Sequence, residues 1–228
     1  MTSLTEDGAR VGGPGEPADP GATSLTAGHV VIAVAVLAAV AALLLLWPRG
    51  ASTPGDRSAE AGFARDMQVH HDQAVQMAFI IRDKTADPTL RTVAFDIITT
   101  QQQQSGQMAA WLQTWGLSPT GSAPPMAWMA GHPGHGAALA AAKATGATMP
   151  GMATPAQLAE LQSAAGVPAE RLFLTLMIAH HEGGIEMADA VLTTTEQPQV
   201  RRLATAIASS QRAEVEQMTQ MLDQLPQG

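Results

Sequence analysis

Apolar positions along this chain fall into two patterns, separated by stretches with none. From residue 30 to residue 47 they are continuous: VVIAVAVLAAVAALLLLW runs eighteen residues without a charge or polar group. A helix needs roughly 20 such residues to cross the hydrocarbon layer. With Ala27 and Gly28 ahead of it, the run predicts one transmembrane helix over residues 30–47. Trp47 then falls at the interface, where indoles concentrate, and Pro48-Arg49 ends the span. No small-residue cleavage site follows Trp47, and the stretch before the span is acidic with Arg10 its sole basic residue, so an uncleaved anchor is expected.

The second pattern steps by three and four. Phe63, Met67, His70, His71, Ala74, Met77, Ala78 and Ile81 share a stripe about 100° wide, the inner face of an amphipathic helix. Arg65, Gln68, Asp72, Gln73 and Gln76 fall opposite. Asp87-Pro88 marks a turn, with aspartate suited to the cap and proline to the first helical position. Leu90, Val93, Ala94, Ile97, Gln101, Gln104, Met108 and Leu112 then line a second helix that Gly116 and Pro119 close. Residues 1–29 are rich in Gly, Pro and Ala without periodicity and read as a disordered tail. Residues 48–56 read as a short flexible stalk.

The same arrangement returns 110 residues later. Phe63 aligns with Phe173, Met67 with Met177, His70-His71 with His180-His181, Met77-Ala78 with Met187-Ala188, Pro88 with Pro198, Gln101 with Gln211, and Met108 with Met218. No gap is needed over about fifty residues, which marks a duplication. Two repeats, residues 57–115 and 167–225, each form a helical hairpin, and residues 116–153 link them. Two hairpins with apolar inner faces predict an all-α four-helix bundle over residues 57–225, with approximate two-fold symmetry.

Polar side chains interrupt these inner faces. Two adjacent histidines straddle the centre of each stripe, with Met67 and Met77 flanking one pair and Met177 and Met187 the other. Gln101, Gln104, Gln211 and Glu214 face inward from the partner helices. A buried polar group without a partner costs about 1–3 kcal/mol, so eight of them need an explanation. One explanation is a hydrogen-bonded network that sets helix register and holds no ligand. The other is a metal site built from Met67, His70, His71, Met77, Met177, His180, His181, Met187 and Glu214. Thioether and imidazole together select copper, above all Cu(I), or the similar Ag(I). A ferritin-type di-iron centre would need two Glu-x-x-His pairs, and the chain has neither.

Composition narrows the classes. The 228 residues carry a net charge of −8 and no basic cluster, so nucleic acid has no electrostatic footprint here. Cysteine is absent, which removes disulfides, thiolate zinc and iron–sulfur sites. Apolar residues make up 46%, aromatics only 4%, so Ala, Leu and Met must pack the core. The linker repeats the soft-ligand theme: Met126, Met129, His132 and His135 recur every third residue, and MPGM follows at 149–152. Its glycines and prolines predict a loop with exposed, mobile side chains, apart from a short helix at 137–144. Metal capture by Met126, Met129, His132, His135, Met149 and Met152 and an incidental low-complexity linker explain this equally.

The motif Phe63-x3-Met67-x2-His70-His71-x2-Ala74-x2-Met77-Ala78 and its copy ending HHEGGIEMA resemble the domain-of-unknown-function 305 family. So do Gln211-x2-Glu214-x3-Met218 and MPGM at 149–152. The resemblance covers about residues 57–225. It implies a ferritin-like bundle, His70, His71, Met67, Met77, His180, His181, Met177 and Met187 as the signature positions, and copper handling by some members. It also implies a bacterial protein of the cell membrane, single-pass, with its C-terminal domain extracytoplasmic. The charge bias points the other way, since Arg49, Arg57 and Arg65 follow the span and Arg10 alone precedes it. Gln104 stands where the family has Glu, and Gly183-Gly184 is expected to loosen the second histidine helix. The expected function is copper binding or buffering without catalysis. A metal-free structural module is the alternative, and a metal-dependent oxidase is less favoured because no nucleophile–base pair or phosphate loop is present.

Overall fold

The computed structural model describes residues 27–46 and 52–226, and within them all side chains except those at 27, 33, 43–46, 135 and 138. The expected tail over residues 1–26 and the interfacial Trp47 with Pro48-Arg49 lie outside the described residues. Every regular element among the described residues is helical, in two compact units, residues 1–50 and 51–228.

The first unit contributes α1, Ala27–Leu46, twenty residues long, whose described side chains Val31, Ile32 and Leu37 are exposed. Counting described residues alone, no helix is long and apolar enough to cross a membrane.

The second unit holds α2 (Ala59–Lys84), α3 (Pro88–Thr114), a 3-10 turn (Ala127–Met129), α4 (His135–Thr145), α5 (Pro155–Ser163), α6 (Gly166–Thr194) and α7 (Pro198–Gln224). Each long helix starts where its sequence supplies a start signal. Ser58 Oγ accepts the Ala61 N–H at the head of α2. Asp87 accepts from Thr89 and Leu90 at 2.7 and 3.2 Å, with Pro88 in the first turn of α3. At the corresponding place before α7, Gln197 makes no such cap and Pro198 alone sets the first turn. Helix α5, which periodicity does not anticipate, opens with a capping box in which Thr154 and Gln157 satisfy each other's backbone N–H.

α2 packs on α3 and α6 on α7, and the hairpins meet through α2 and α6. All eight residues of the expected α2 stripe are buried, as are all eight on α3. α2 is buried more widely than one stripe because the inter-hairpin segment covers its flank. There Asp66 accepts the Met126 N–H at 2.7 Å and the Trp128 Nε1–H at 2.9 Å. Further along, Gln73 clamps Ala153 through both its amide atoms, at 2.7 and 2.9 Å.

Two expectations for this segment are therefore corrected. Met126, Met129 and Met149 are at most 2% exposed, where a mobile loop was expected, because Asp66 and Gln73 tie the chain down on both sides of α4. Gly183-Gly184 does not loosen α6, which runs unbroken from Gly166 to Thr194. A Cβ on Gly183 would stand 2.2 Å from the Pro150 carbonyl oxygen, and one on Gly184 2.4 Å from Gln211 Oε1. The glycines are there because neighbours approach the helix closely.

Candidate metal centre

Adjacent residues on a helix point 100° apart, so a His-His pair aims its two rings at different neighbours. The duplication then fixes which. The first histidine of each pair faces the other hairpin: the His70 and His180 rings lie 3.8 Å apart, centroid to centroid, tilted by 34°. The second histidine faces its own hairpin partner. His71 Nε2 meets Gln104 Oε1 at 2.8 Å on α3, and His181 Nε2 meets Glu214 Oε2 at 2.6 Å on α7. The two contacts are the same contact, one repeat apart, made by an amide in the first half and a carboxylate in the second.

All four imidazoles are fully buried. Their hydrogen bonds define where the protons sit. A carbonyl or carboxylate oxygen can only accept, so His71 and His181 donate from Nε2. His70 Nε2 likewise donates, at 3.3 Å, to the Pro150 carbonyl of the segment that crosses α6. In each of these rings Nδ1 is left with a bare lone pair, and none of the three Nδ1 atoms has a hydrogen-bond partner. In His180 neither ring nitrogen has one. The amides of Gln101 and Gln211, 2% exposed, are equally without partners.

Burial keeps these rings neutral. It pushes His70 down to about 4, against the upward pull of the Pro150 carbonyl. It pushes His71 down to about 3, with the His70 ring adding to the shift, and carries His180 well below its usual value. At neutral pH the lone pairs are therefore available and no proton has to leave.

The methionines bracket this layer. Met67 and Met187 share one apolar cluster, with Met108; Met77 and Met177 share another, with Met218. All six are fully buried, and α2 and α6 run antiparallel between the clusters with the histidines at their middle. Among the described residues no three His, Asp or Glu side chains are grouped so as to hold a metal ion. A coordination sphere here has to draw on thioethers. Neutral imidazole and thioether are donors for a soft cation, and Glu214, its side chain 23% exposed, stands behind His181 as a hydrogen-bond partner of a ligand does.

The remaining expected ligands are dispersed. Met126, Met129 and Met149 join the Met67 cluster, His132 and Met152 are half-buried, and the side chain of His135 lies outside the described residues. Sequence reasoning missed Asp66 and Gln73, which hold the segment over the site. It also missed the Pro150 carbonyl, because a backbone acceptor leaves no signature in residue type.

Comparison with known proteins follows the geometry. Residues 60–222 match the family described as Domain of unknown function (DUF305). A putative secreted DUF305 protein from Streptomyces coelicolor has a crystal structure that covers 74% of this chain and 94% of its own, at 41% identity and a TM-score of 0.65. A DUF305 fragment from Deinococcus radiodurans covers 73% and 97%, at 33% identity and a TM-score of 0.59. CopM in its Cu(I)-bound form covers 75% and 96%, at 26% identity and a TM-score of 0.54. No curated protein sequence matches the chain.

Proposed function

Because the chain belongs to the DUF305 family, matched across both hairpins, we propose that it is a membrane-anchored, extracytoplasmic protein that binds copper as Cu(I) and performs no catalysis. The ligands are drawn from His70, His71, His180 and His181 with Met67, Met77, Met177 and Met187, and Glu214 supports the second half. One observation carries the reading: four fully buried imidazoles each hold an Nδ1 without a partner, between two layers of buried thioethers. A relative, CopM, has been solved with Cu(I), Cu(II) and silver, the ions that such a donor set favours.

The metal-free alternative, in which the polar core serves register alone, draws support from the His71–Gln104 and His181–Glu214 contacts. It leaves the Nδ1 atoms and the Gln101 and Gln211 amides unsatisfied, at about 1–3 kcal/mol each. Metal coordination gives the imidazole lone pairs a purpose.

Anchoring rests on the apolar run at residues 30–47, whose helical part, α1, would extend about 30 Å, the thickness of a hydrocarbon core. The extracytoplasmic side rests on the family, one of whose structures is of a putative secreted protein. Anaerobic Cu(I) titration of the full chain in detergent tests the function. We expect tight binding, weakened at least about 10–100-fold by His70→Gln with His180→Gln, the loss that even indirect partners of a metal ligand cause. Unchanged affinity in a folded double variant would remove the imidazole layer from the account.

A further inference from the structure

The two ends of the bundle differ in one respect. The duplication places the same three methionines at each: Met67, Met108 and Met187 at one end, Met177, Met218 and Met77 at the other. To the first end alone the inter-hairpin segment adds Met126, Met129 and Met149, each at most 2% exposed. Six of the eighteen buried residues of that cluster are methionine, against three of eighteen opposite. The opposite end fills its space with branched residues such as Ile81, Leu90, Ile97 and Leu161. Volume alone does not call for methionine.

The delivery of these side chains is specific. Met126 has φ 65°, the left-handed region, and is the one non-glycine residue with positive φ among the described residues. Such a backbone persists where its surroundings over-determine it. Here the Asp66 carboxylate grips the Met126 N–H and the Trp128 indole together. Gly62 leaves room for that indole, since a Cβ would stand 2.3 Å from it. Met149 is carried in by the Pro150-Gly151 turn, where a Cβ on Gly151 would stand 2.3 Å from the Ala179 carbonyl oxygen. Two independent devices on α2 and α6 thus press linker methionines into one end of the bundle.

We infer that Met126, Met129 and Met149, with Met67, Met108 and Met187, form a second soft-metal site, built of thioethers alone, that takes a monovalent soft cation, Cu(I) or Ag(I), and discriminates against Cu(II) and Zn(II). Thioether sulfur is neutral and polarizable, so it matches a soft monocation and competes poorly with water for harder dications. The site goes beyond the imidazole layer but borders it through Met67 and Met187, so its test alters the linker methionines only.

Trp111, Trp115 and Trp128 all pack against this cluster, which makes indole fluorescence a reporter for this end of the bundle. The full chain in detergent, titrated with Ag(I), should lose indole emission on filling the site. The variant Met126→Leu/Met129→Leu/Met149→Leu keeps side-chain volume and apolarity. It should bind about one Ag(I) fewer by native mass spectrometry, the equivalent held by thioethers, and lose the quenching, while His70→Gln/His180→Gln keeps both. Full silver stoichiometry with full quenching in the methionine variant would overturn the inference. Should that variant fail to fold, copper-edge X-ray absorption of the histidine variant loaded with Cu(I) decides: a shell of sulfur alone supports the site, and a shell containing nitrogen overturns it. Loss of all binding in the histidine variant alone would sink this site and leave the imidazole one standing.

Discussion

His71 and His181 occupy the same place in the two repeats and settle with different partners, for a reason that burial makes plain. Gln104 is 6% exposed, and the Glu214 side chain is 23% exposed. A carboxylate keeps part of its hydration at the rim of the bundle, whereas an amide can be enclosed at lower cost. The neutral rings beside them have a consequence for the metal-free protein. His70 and His71 titrate near 4 and 3 when folded, and near 6.5 when unfolded. The unfolded chain therefore takes up protons first as pH falls. Stability from these groups is complete above about 6.5 and is lost as pH falls toward 4 and then 3. Asp66, raised by burial, works in the opposite direction. Chemical denaturation of the metal-free protein should show a lower midpoint at pH 5 than at pH 7, and equal midpoints would contradict buried neutral histidines. The inward placement of the histidines was legible in the sequence, since their spacing from Phe63 and Met77 puts them on the stripe. Their partners were half legible: Gln104 and Glu214 lie on the neighbouring helix's stripe, whereas the Pro150 carbonyl could be found only in three dimensions.

Among the elements, the long helices follow directly from periodicity and caps, and the duplication pairs them. The inter-hairpin segment was misread as exposed because no local pattern records docking. What holds it is Asp66 and Gln73, roughly sixty to eighty residues away in sequence, and a glycine on α6. Two alanine substitutions separate a glycine that clears a neighbour from one that only loosens a helix. Gly183→Ala would drive a methyl group into the Pro150 carbonyl and should destabilise by about 1–3 kcal/mol, as overpacking does. Gly106→Ala, in α3 with nothing within 4 Å, should stabilise by about 0.5–1 kcal/mol. Thermal melts of the two variants check both signs, and a neutral Gly183→Ala would mean that the turn does not rest on α6.

For the whole molecule, the bundle is a two-fold frame carrying an asymmetric addition. The duplicated hairpins supply four imidazoles at the centre and three methionines at each end, and the inter-hairpin segment enriches one end alone. Because the rings are neutral, metal uptake at neutral pH needs no proton release, and affinity should hold until pH falls far enough for protons to compete for Nδ1. That follows only if Nδ1 is the ligand atom. Long-range 15N–1H correlation spectra of the histidine side chains, recorded before and after one equivalent of Ag(I), test it directly. The account predicts rings protonated at Nε2 in the metal-free protein and large Nδ1 shifts on silver addition, with Nε2 little changed. Nδ1 resonances that stay in place while silver binds would contradict it.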